Sequence, residues 1–551
     1  MKLDYFPNTR RFTLAVPRGE DDPAELMREH GLDMSETLST PQLAVLFTGE
    51  PYAAVAFWEY ATPRAQAELI SLQTEIETSW ARESQAHIDC PADEELWPFQ
   101  KAGVEFALRR RNTLIGDQPG LGKTAQAICL ANEMRASRVL IVCPASIRLQ
   151  WARQIQRWST MPFPRIVHPI LVGRHGVNPV ANWTVVSYDL ARTPEIGRAL
   201  ARGTYDLLIL DEAHYLKEHT SLRTRAVFGR YDNLETEFAA LASRCGAAVG
   251  LTGTPLPNRP REAYTLARGL CFDAIDFVSE AKFRERFNPS RRVSWVDPST
   301  GKPKVFVDER TGREGELQAR LRGNFMVRRS KRGPRGVMPQ LKEPRIELVH
   351  LEPNAAINKV LAVEKLIDFD PEDWEGMDFS QGGSIATARR MMGEAVAPLA
   401  AEYVAMLLEG GDDKIVLFGH HINALNIMEK RLAKWGLVRI DGSVSAARKA
   451  KLVQEFIDNP RIRVCLGNTL SMGTGTDGLQ LAAQHLVLAE PDWVHGNNEQ
   501  AIDRLDRGGQ EGSVQADILV VPGSLAEKIL GNAVQKGQNT HKALDRRLGL
   551  V

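Results

Sequence analysis

A lysine and a threonine closing a glycine-bearing turn, Asp117-Gln118-Pro119-Gly120-Leu121-Gly122-Lys123-Thr124, carry the most specific chemistry in this chain. The turn follows an apolar run and precedes a helical pattern, so its backbone N–H groups point outward at the start of a helix and form an anion site. Gly120 and Gly122 let that backbone approach phosphates closely. Lys123 adds a positive charge for the outer phosphates of a nucleoside triphosphate, and Thr124 a hydroxyl for magnesium. The position usually held by the first glycine of such a loop is Asp117.

Further along, Tyr205-Asp-Leu-Leu-Ile-Leu-Asp-Glu-Ala-His214 delivers two adjacent carboxylates at the end of an apolar run. Such a pair either holds a cation or caps a helix starting near Ala213. Beside a phosphate loop the first role prevails: Asp211 is placed to hold magnesium, and Glu212 to polarise the water that attacks the last phosphate. Gln100, in Leu-Trp-Pro-Phe-Gln, has the donor and acceptor needed to read an adenine edge. Thr252, Gly253 and Thr254 end another apolar run. Their hydroxyls can bond the carboxylates and, with His214, transmit the state of the phosphate; the alternative is a plain strand-to-turn junction. Arg504 and Arg507, three apart, leave one face of a helix together. They can neutralise charge that develops in phosphoryl transfer, or pair with Asp503 and Asp506 on the surface.

These residues need a scaffold that gathers strand ends. Between 89 and 275 the pattern is strand, turn, helix, repeated, through NTLIGD, RVLIVCP, WTVVSYD, YDLLILDE and AAVGLTG; it returns from 413 to 530 as KIVLFGH, LVRIDG, IRVCLGN, HLVLAEP and ADILVVP. Two parallel sheets with crossover helices follow, an α/β fold whose ligand chemistry lies at the carboxyl ends of the strands. Residues 1–88 read as a small N-terminal accessory unit, with strands at Phe12–Val16 and Leu43–Phe47 and a helix over Glu68–Trp80. Residues 276–412 read as a basic, helical insertion and linker, and 531–551 as a tail. Between Lys282 and Arg345 stand 18 Lys or Arg against 7 Asp or Glu. Between two lobes, that excess favours a phosphate-backbone track over a solvated charged face.

The whole chain is neutral, with 69 basic and 69 acidic residues, so binding to nucleic acid has to come from a local patch. Its six cysteines lack metal-ligand spacing, which argues against zinc and for reduced thiols. No signal-peptide core is expected, and no run approaching the roughly 20 apolar residues of a membrane span, so a cytoplasmic, intracellular location without a membrane partner is anticipated.

Taken together and in order, LWPFQ, DQPGLGKT, VLIVCPASIRLQW, LLILDEAH, LTGTPLPNRPREAY, FMVRRSKRGPRGVMPQLK, KIVLFGHH and QAIDRLDRGGQ resemble the motif set of superfamily 2 helicases of the Swi/Snf type. The resemblance covers about residues 96 to 530. Within the type, LAEPDWVHGNNEQAIDRLDRGGQ is most similar to the annealing-helicase, or HARP-related, branch and the short bacterial and phage proteins near it. An Asp before GLGKT is common in that family. The resemblance implies two RecA-like lobes, ATP and Mg2+ between them, and double-stranded or branched DNA as partner, with replication or recombination proteins beside it. It adds Gln510 to the catalytic group of Lys123, Asp211, Glu212, Arg504 and Arg507, assigns coupling to Gly475 and Asp477, and puts Arg328, Arg329, Lys331 and Arg332 on DNA. Three departures stand out: MGTGTDGLQL replaces a Gly-Leu-Asn core, Asp506 stands where a His is usual, and residues 1–88 lie outside the resemblance. Two rivals remain, an RNA-dependent ATPase of the DEAH type and an ATP-gated DNA clamp that does not translocate.

Overall fold

Apolar runs built from Val, Leu and Ile form strands buried on both faces, as parallel strands sandwiched between helices must be. Val139–Cys143, Trp183–Ser187 and Ile415–Gly419 are buried at every residue. All ten runs singled out in the sequence are strands. The computed structural model describes all residues of the chain except 10, 20, 31, 36, 50, 163–164, 230–238, 256–259, 276–278, 297–302, 310–312, 367–382, 473–476, 493–494 and 531–551.

The first lobe is a seven-stranded sheet, ordered Met326–Val327, Asn112–Ile115, Cys245–Leu251, Tyr205–Asp211, Val139–Cys143, Trp183–Ser187, Val167–Pro169, with every pairing parallel. The second is six-stranded and also parallel: Arg345–His350, Gln515–Val520, His485–Leu488, Ile415–Gly419, Val464–Asn468, Leu437–Ile440. The N-terminal unit is a four-stranded antiparallel sheet, Lys2–Phe6, Arg11–Pro17, Leu43–Thr48 and Asp33–Met34, covered by the helix Pro63–Thr78. Thr62 caps that helix, accepting from the Ala65 amide at 3.2 Å, and Pro63 supplies a preset first residue.

The boundary expected at 275 needs correction. Phe283, Phe287, Leu317, Leu321, Phe325 and Met326 lie in the core of the first lobe, which takes its edge strand from Met326–Val327. The middle segment then crosses over and adds Arg345–His350 to the edge of the second sheet. Two apolar residues in one case, and a strand with exposed Ile346 and Leu348 in the other, carry too little pattern to be seen as sheet members.

Much of the basic excess is also spent internally. Glu316, with no exposed side-chain surface, takes Arg286 Nη2 at 2.7 Å and Arg320 Nε at 2.9 Å. Arg313 and Arg286 reach Asp33 of the N-terminal unit at 2.6 and 3.3 Å. Arg322 donates to Ser79 Oγ at 3.1 Å and lies 3.5 Å over the Trp80 ring. These contacts bind the N-terminal unit to the first lobe.

Among the described residues one helix, Ile385–Glu409, is long and apolar enough by composition to cross a membrane, where no such run was expected from the sequence. Its Ala397, Ala400, Ala401, Val404 and Leu408 lie in the core of the second lobe.

Candidate nucleotide site between the lobes

The phosphate loop leaves the strand Asn112–Ile115 and enters the helix Lys123–Glu133 through two left-handed glycines, Gly120 (φ 84°) and Gly122 (φ 71°). Only glycine takes that backbone without a steric penalty. Lys123 Nζ donates to the carbonyls of Asp117 and Gln118, at 2.8 and 3.3 Å. Asp117 is fully buried. Its carboxylate accepts from the Arg329 amide and Nε, both at 2.9 Å, from Arg329 Nη2 at 2.6 Å and from Gln126 Nε2 at 3.0 Å. The residue standing in for a glycine is thus an internal anchor.

Asp211 and Glu212 stand at the carboxyl end of Tyr205–Asp211. Asp211 accepts from Trp151 Nε1 at 2.7 Å and from the Glu212 amide at 2.9 Å. Glu212 itself has φ 49° and ψ 53°, a conformation costly for a residue with a side chain and found where function over-determines the backbone. His214 Nδ1 lies 3.3 Å from Glu212 Oε2 and 3.1 Å from Thr252 Oγ1, and Thr252 Oγ1 accepts from the Thr254 amide at 3.1 Å. A continuous path therefore links Glu212 to the turn after Cys245–Leu251.

Residues of both lobes surround one cavity of about 450 Å³, ample for a nucleotide. Gln100, Gly120, Gly122, Lys123, Thr124, Asp211 and Glu212 line it from the first lobe, and Asp477, Arg504 and Arg507 from the second. Arg507 Nη1 donates to Asp477 Oδ1 at 2.7 Å, and its Nε to the Asp503 carbonyl at 2.9 Å. Of the two roles open to Asp503 and Asp506, pairing with these arginines is not the one their side chains take; they bind Lys331, and Asp506 also Arg332.

The electrostatics fit a polyanion. Burial holds the Lys123 ammonium below its ordinary pKa, and burial together with neighbouring Arg507 brings Arg504 down to about 10. Burial and the Glu212 charge push Asp211 up to about 6. Burial also raises Glu212, but His214, Lys123 and Arg504 outweigh it, leaving a net fall. Cations that lose stability on burial regain it when phosphates enter between them. A Cβ on Gly120 would lie 2.9 Å from Arg507 Cβ, so the two lobes meet at the loop itself.

Several expectations change. Arg328, Arg329 and Lys331 are at most 2% exposed and cannot face a DNA backbone. Arg328 donates to the carbonyls of Gly116 and Gly253 at 2.7 and 3.2 Å, Arg329 holds Asp117, and Arg332 Nη1 meets Asp506 Oδ2 at 2.7 Å. The strand Met326–Val327 carries these side chains beside the phosphate loop, which is why they turn inward. Gln510 does not line the cavity: its Nε2 donates to the Ala483 carbonyl at 3.0 Å and its Oε1 accepts from the Gly512 amide at 3.1 Å. Gln100 spends part of its amide locally, accepting from the Trp97 amide at 2.9 Å and donating to the Leu121 carbonyl at 3.2 Å. One N–H and one lone pair remain for a base. Gly253 sits against Pro119, where a Cβ would come within 2.5 Å of Pro119 Cγ. Gly475 lies outside the described residues. Trp151 was missed; an indole N–H three residues into the helix Arg148–Trp158 gives no sign in sequence that it will reach a carboxylate.

Residues 99–360 match the SNF2-related domain family. The chain is 29% identical over 473 residues to the DNA annealing helicase and endonuclease ZRANB3 of Bos taurus, covering 82% of this chain and 41% of that protein. It is also 29% identical over 444 residues to the SWI/SNF-related matrix-associated actin-dependent regulator of chromatin subfamily A-like protein 1 of Xenopus tropicalis, covering 80% and 44%. The chain thus spans less than half the length of these relatives. Among solved structures, the SWI2/SNF2 ATPase core of Sulfolobus solfataricus in complex with dsDNA aligns with TM-score 0.38 and 18% identity, over 84% of this chain and 97% of that one.

Proposed function

We propose, on the premise that this chain belongs to the Swi/Snf type of superfamily 2 through its SNF2-related domain, that it is an ATP-hydrolysing translocase on double-stranded DNA. It would remodel forked or branched DNA, anneal strands or displace bound proteins. The observation that carries this reading is the shared cavity: Lys123 from one sheet and Arg504 and Arg507 from the other line the same space. A nucleotide held there draws charge from both lobes, so its hydrolysis changes how they sit together.

Each residue has a task in that scheme. The loop amides and Lys123 bind the phosphates, and Gln100 offers its remaining N–H and lone pair to the base. Glu212, kept ionised by His214, Lys123 and Arg504, takes the proton of the attacking water. Arg504 and Arg507 neutralise charge that develops on the transferred phosphoryl group. His214, Thr252 and Thr254 carry the state of Glu212 into the turn after their strand, with Asp477 joining from the second lobe through Arg507. Magnesium, when bound by Thr124 and Asp211, supplies Lewis-acid stabilisation of the phosphate oxygens.

DNA as the partner comes from the relatives' names, because Arg328, Arg329 and Lys331, expected to grip it, are buried. ATPase rates on single-stranded, duplex, forked and RNA substrates test the proposal. Stimulation by duplex or forked DNA, abolished by Lys123→Ala and by Arg507→Ala, is the expected result. Greatest stimulation by RNA, or rates indifferent to both substitutions, would overturn it.

A further inference from the structure

One buried lysine joins the two halves of the cavity. The Lys331 backbone amide donates to Gln118 Oε1 of the phosphate loop at 2.7 Å. Its side chain is 3% exposed, and the ammonium bonds Asp503 Oδ1, the Asp506 carbonyl and, at 3.2 Å, Asp506 Oδ2. Asp503 and Asp506 bracket Arg504, Asp506 immediately precedes Arg507, and the Asp503 carbonyl also receives Arg507 Nε at 2.9 Å. Arg332 closes the group, with Nη1 2.7 Å from Asp506 Oδ2. A chain of direct bonds therefore runs from Gln118 through Lys331 and Asp503 to the guanidinium of Arg507. Lys331 Cε also lies 3.5 Å from the point where a Cβ on Gly120 would stand.

We propose that Lys331 is a positioning residue for ATP hydrolysis, fastening the arginine-bearing segment of the second lobe to the phosphate loop of the first so that Arg504 and Arg507 stand over the cavity. The inference rests on the reading of that cavity as the hydrolytic site. Two other roles are open to a basic residue here, and both fit poorly. A DNA contact requires exposure that Lys331 lacks. A staple internal to one domain would not join elements of two separate sheets. Its ammonium meets carboxylates only on the far lobe, and its amide meets only the near one. Burial makes the pair demanding as well, because removing the ammonium leaves Asp503 and part of Asp506 without their counter-charge in a site with little water.

The test uses Lys331→Met in the full chain, with Asp503→Asn as a second variant that weakens the same link and retains the Asp503 carbonyl. Misplacing a catalytic group by about 1 Å costs on the order of 100-fold in rate, so kcat should fall by about that factor in Lys331→Met while KM for ATP moves less than about threefold. The loss should be smaller but of the same kind in Asp503→Asn. In an Arg507→Ala background, Lys331→Met should remove less than about a further threefold, because both act on one element. Duplex affinity and its salt slope should not change. Kcat intact in both variants, losses that multiply fully with Arg507→Ala, or a salt slope lower by about one contact would each overturn the inference. Small-angle scattering of the nucleotide-free chain provides a readout independent of turnover: Lys331→Met should enlarge the radius of gyration through parting of the lobes. If the unaltered chain hydrolyses no ATP, the functional reading fails on its own, and scattering still judges the link. An unchanged radius in both variants would then refute it.

Discussion

Replacing Arg329 with methionine should destabilise the first lobe and leave DNA affinity alone. Arg329 is 1% exposed, and its guanidinium meets the fully buried Asp117 through Nε at 2.9 Å and Nη2 at 2.6 Å. Breaking a buried pair by deleting one partner costs about 3–5 kcal/mol, since the other charge is left uncompensated. Two of the four bonds to Asp117 survive the substitution, from the backbone amide of residue 329 and from Gln126 Nε2 at 3.0 Å, which places the expected loss near the lower end, about 3 kcal/mol. For a unit of this size, 1 kcal/mol lowers the melting temperature by about 2–4 °C, so the transition should move down by about 6–12 °C. Calorimetry or circular dichroism reads the shift. Adding Asp117→Asn should recover part of it, because the uncompensated charge is then gone. A midpoint within about 1 °C of the parent, combined with a shallower salt dependence of duplex binding, would refute the internal role and return Arg329 to the DNA surface.

Glu212→Gln should retain nucleotide binding and lower turnover by about 10²–10⁴-fold, read by equilibrium binding of ATP alongside steady-state hydrolysis. Gly120→Ala should cost about 1–2 kcal/mol from its left-handed backbone and, by setting a methyl 2.9 Å from Arg507 Cβ, lower kcat; melting and hydrolysis assays separate the two effects. His485 lies 3.0 Å from Asp412 and 2.7 Å from Asp517. Burial opposes its protonation, but the two carboxylates prevail and raise its pKa above 6.5. The stability it contributes is therefore complete below the unfolded value and is lost as pH rises through the folded one, so the melting temperature should fall from about pH 6 to 9 more steeply in the parent than in His485→Asn.

Ten strands of the two sheets were legible because parallel strands buried on both faces leave unbroken apolar runs, and the phosphate loop was legible because only glycine meets its backbone demand. Asp211 and Glu212 could be named because a parallel sheet gathers its strand ends; Arg504 and Arg507, expected on one face of a helix, instead reach the cavity from the turns that follow a helix ending at Ile502. The basic segment misled for a physical reason. Charge in a sequence does not state whether its partner is solvent, DNA or a carboxylate far along the chain, and Arg329, Lys331 and Arg332 find theirs at Asp117, Asp503 and Asp506. Short-range pattern likewise cannot disclose that Met326–Val327 completes a sheet whose neighbouring strand lies more than two hundred residues earlier.

That same passage of chain, leaving the rim of one sheet at Met326–Val327 and joining the rim of the other at Arg345–His350, limits how the polypeptide can be divided. A gene fragment stopping at 275 would translate a first half with the Asn112–Ile115 strand bare along one side, an invitation to self-association, and with Asp117 stripped of its guanidinium. Two separately produced pieces meant to reassemble should instead be split between Leu341, which still packs against Phe99 and Leu121, and Arg345, where the second sheet begins.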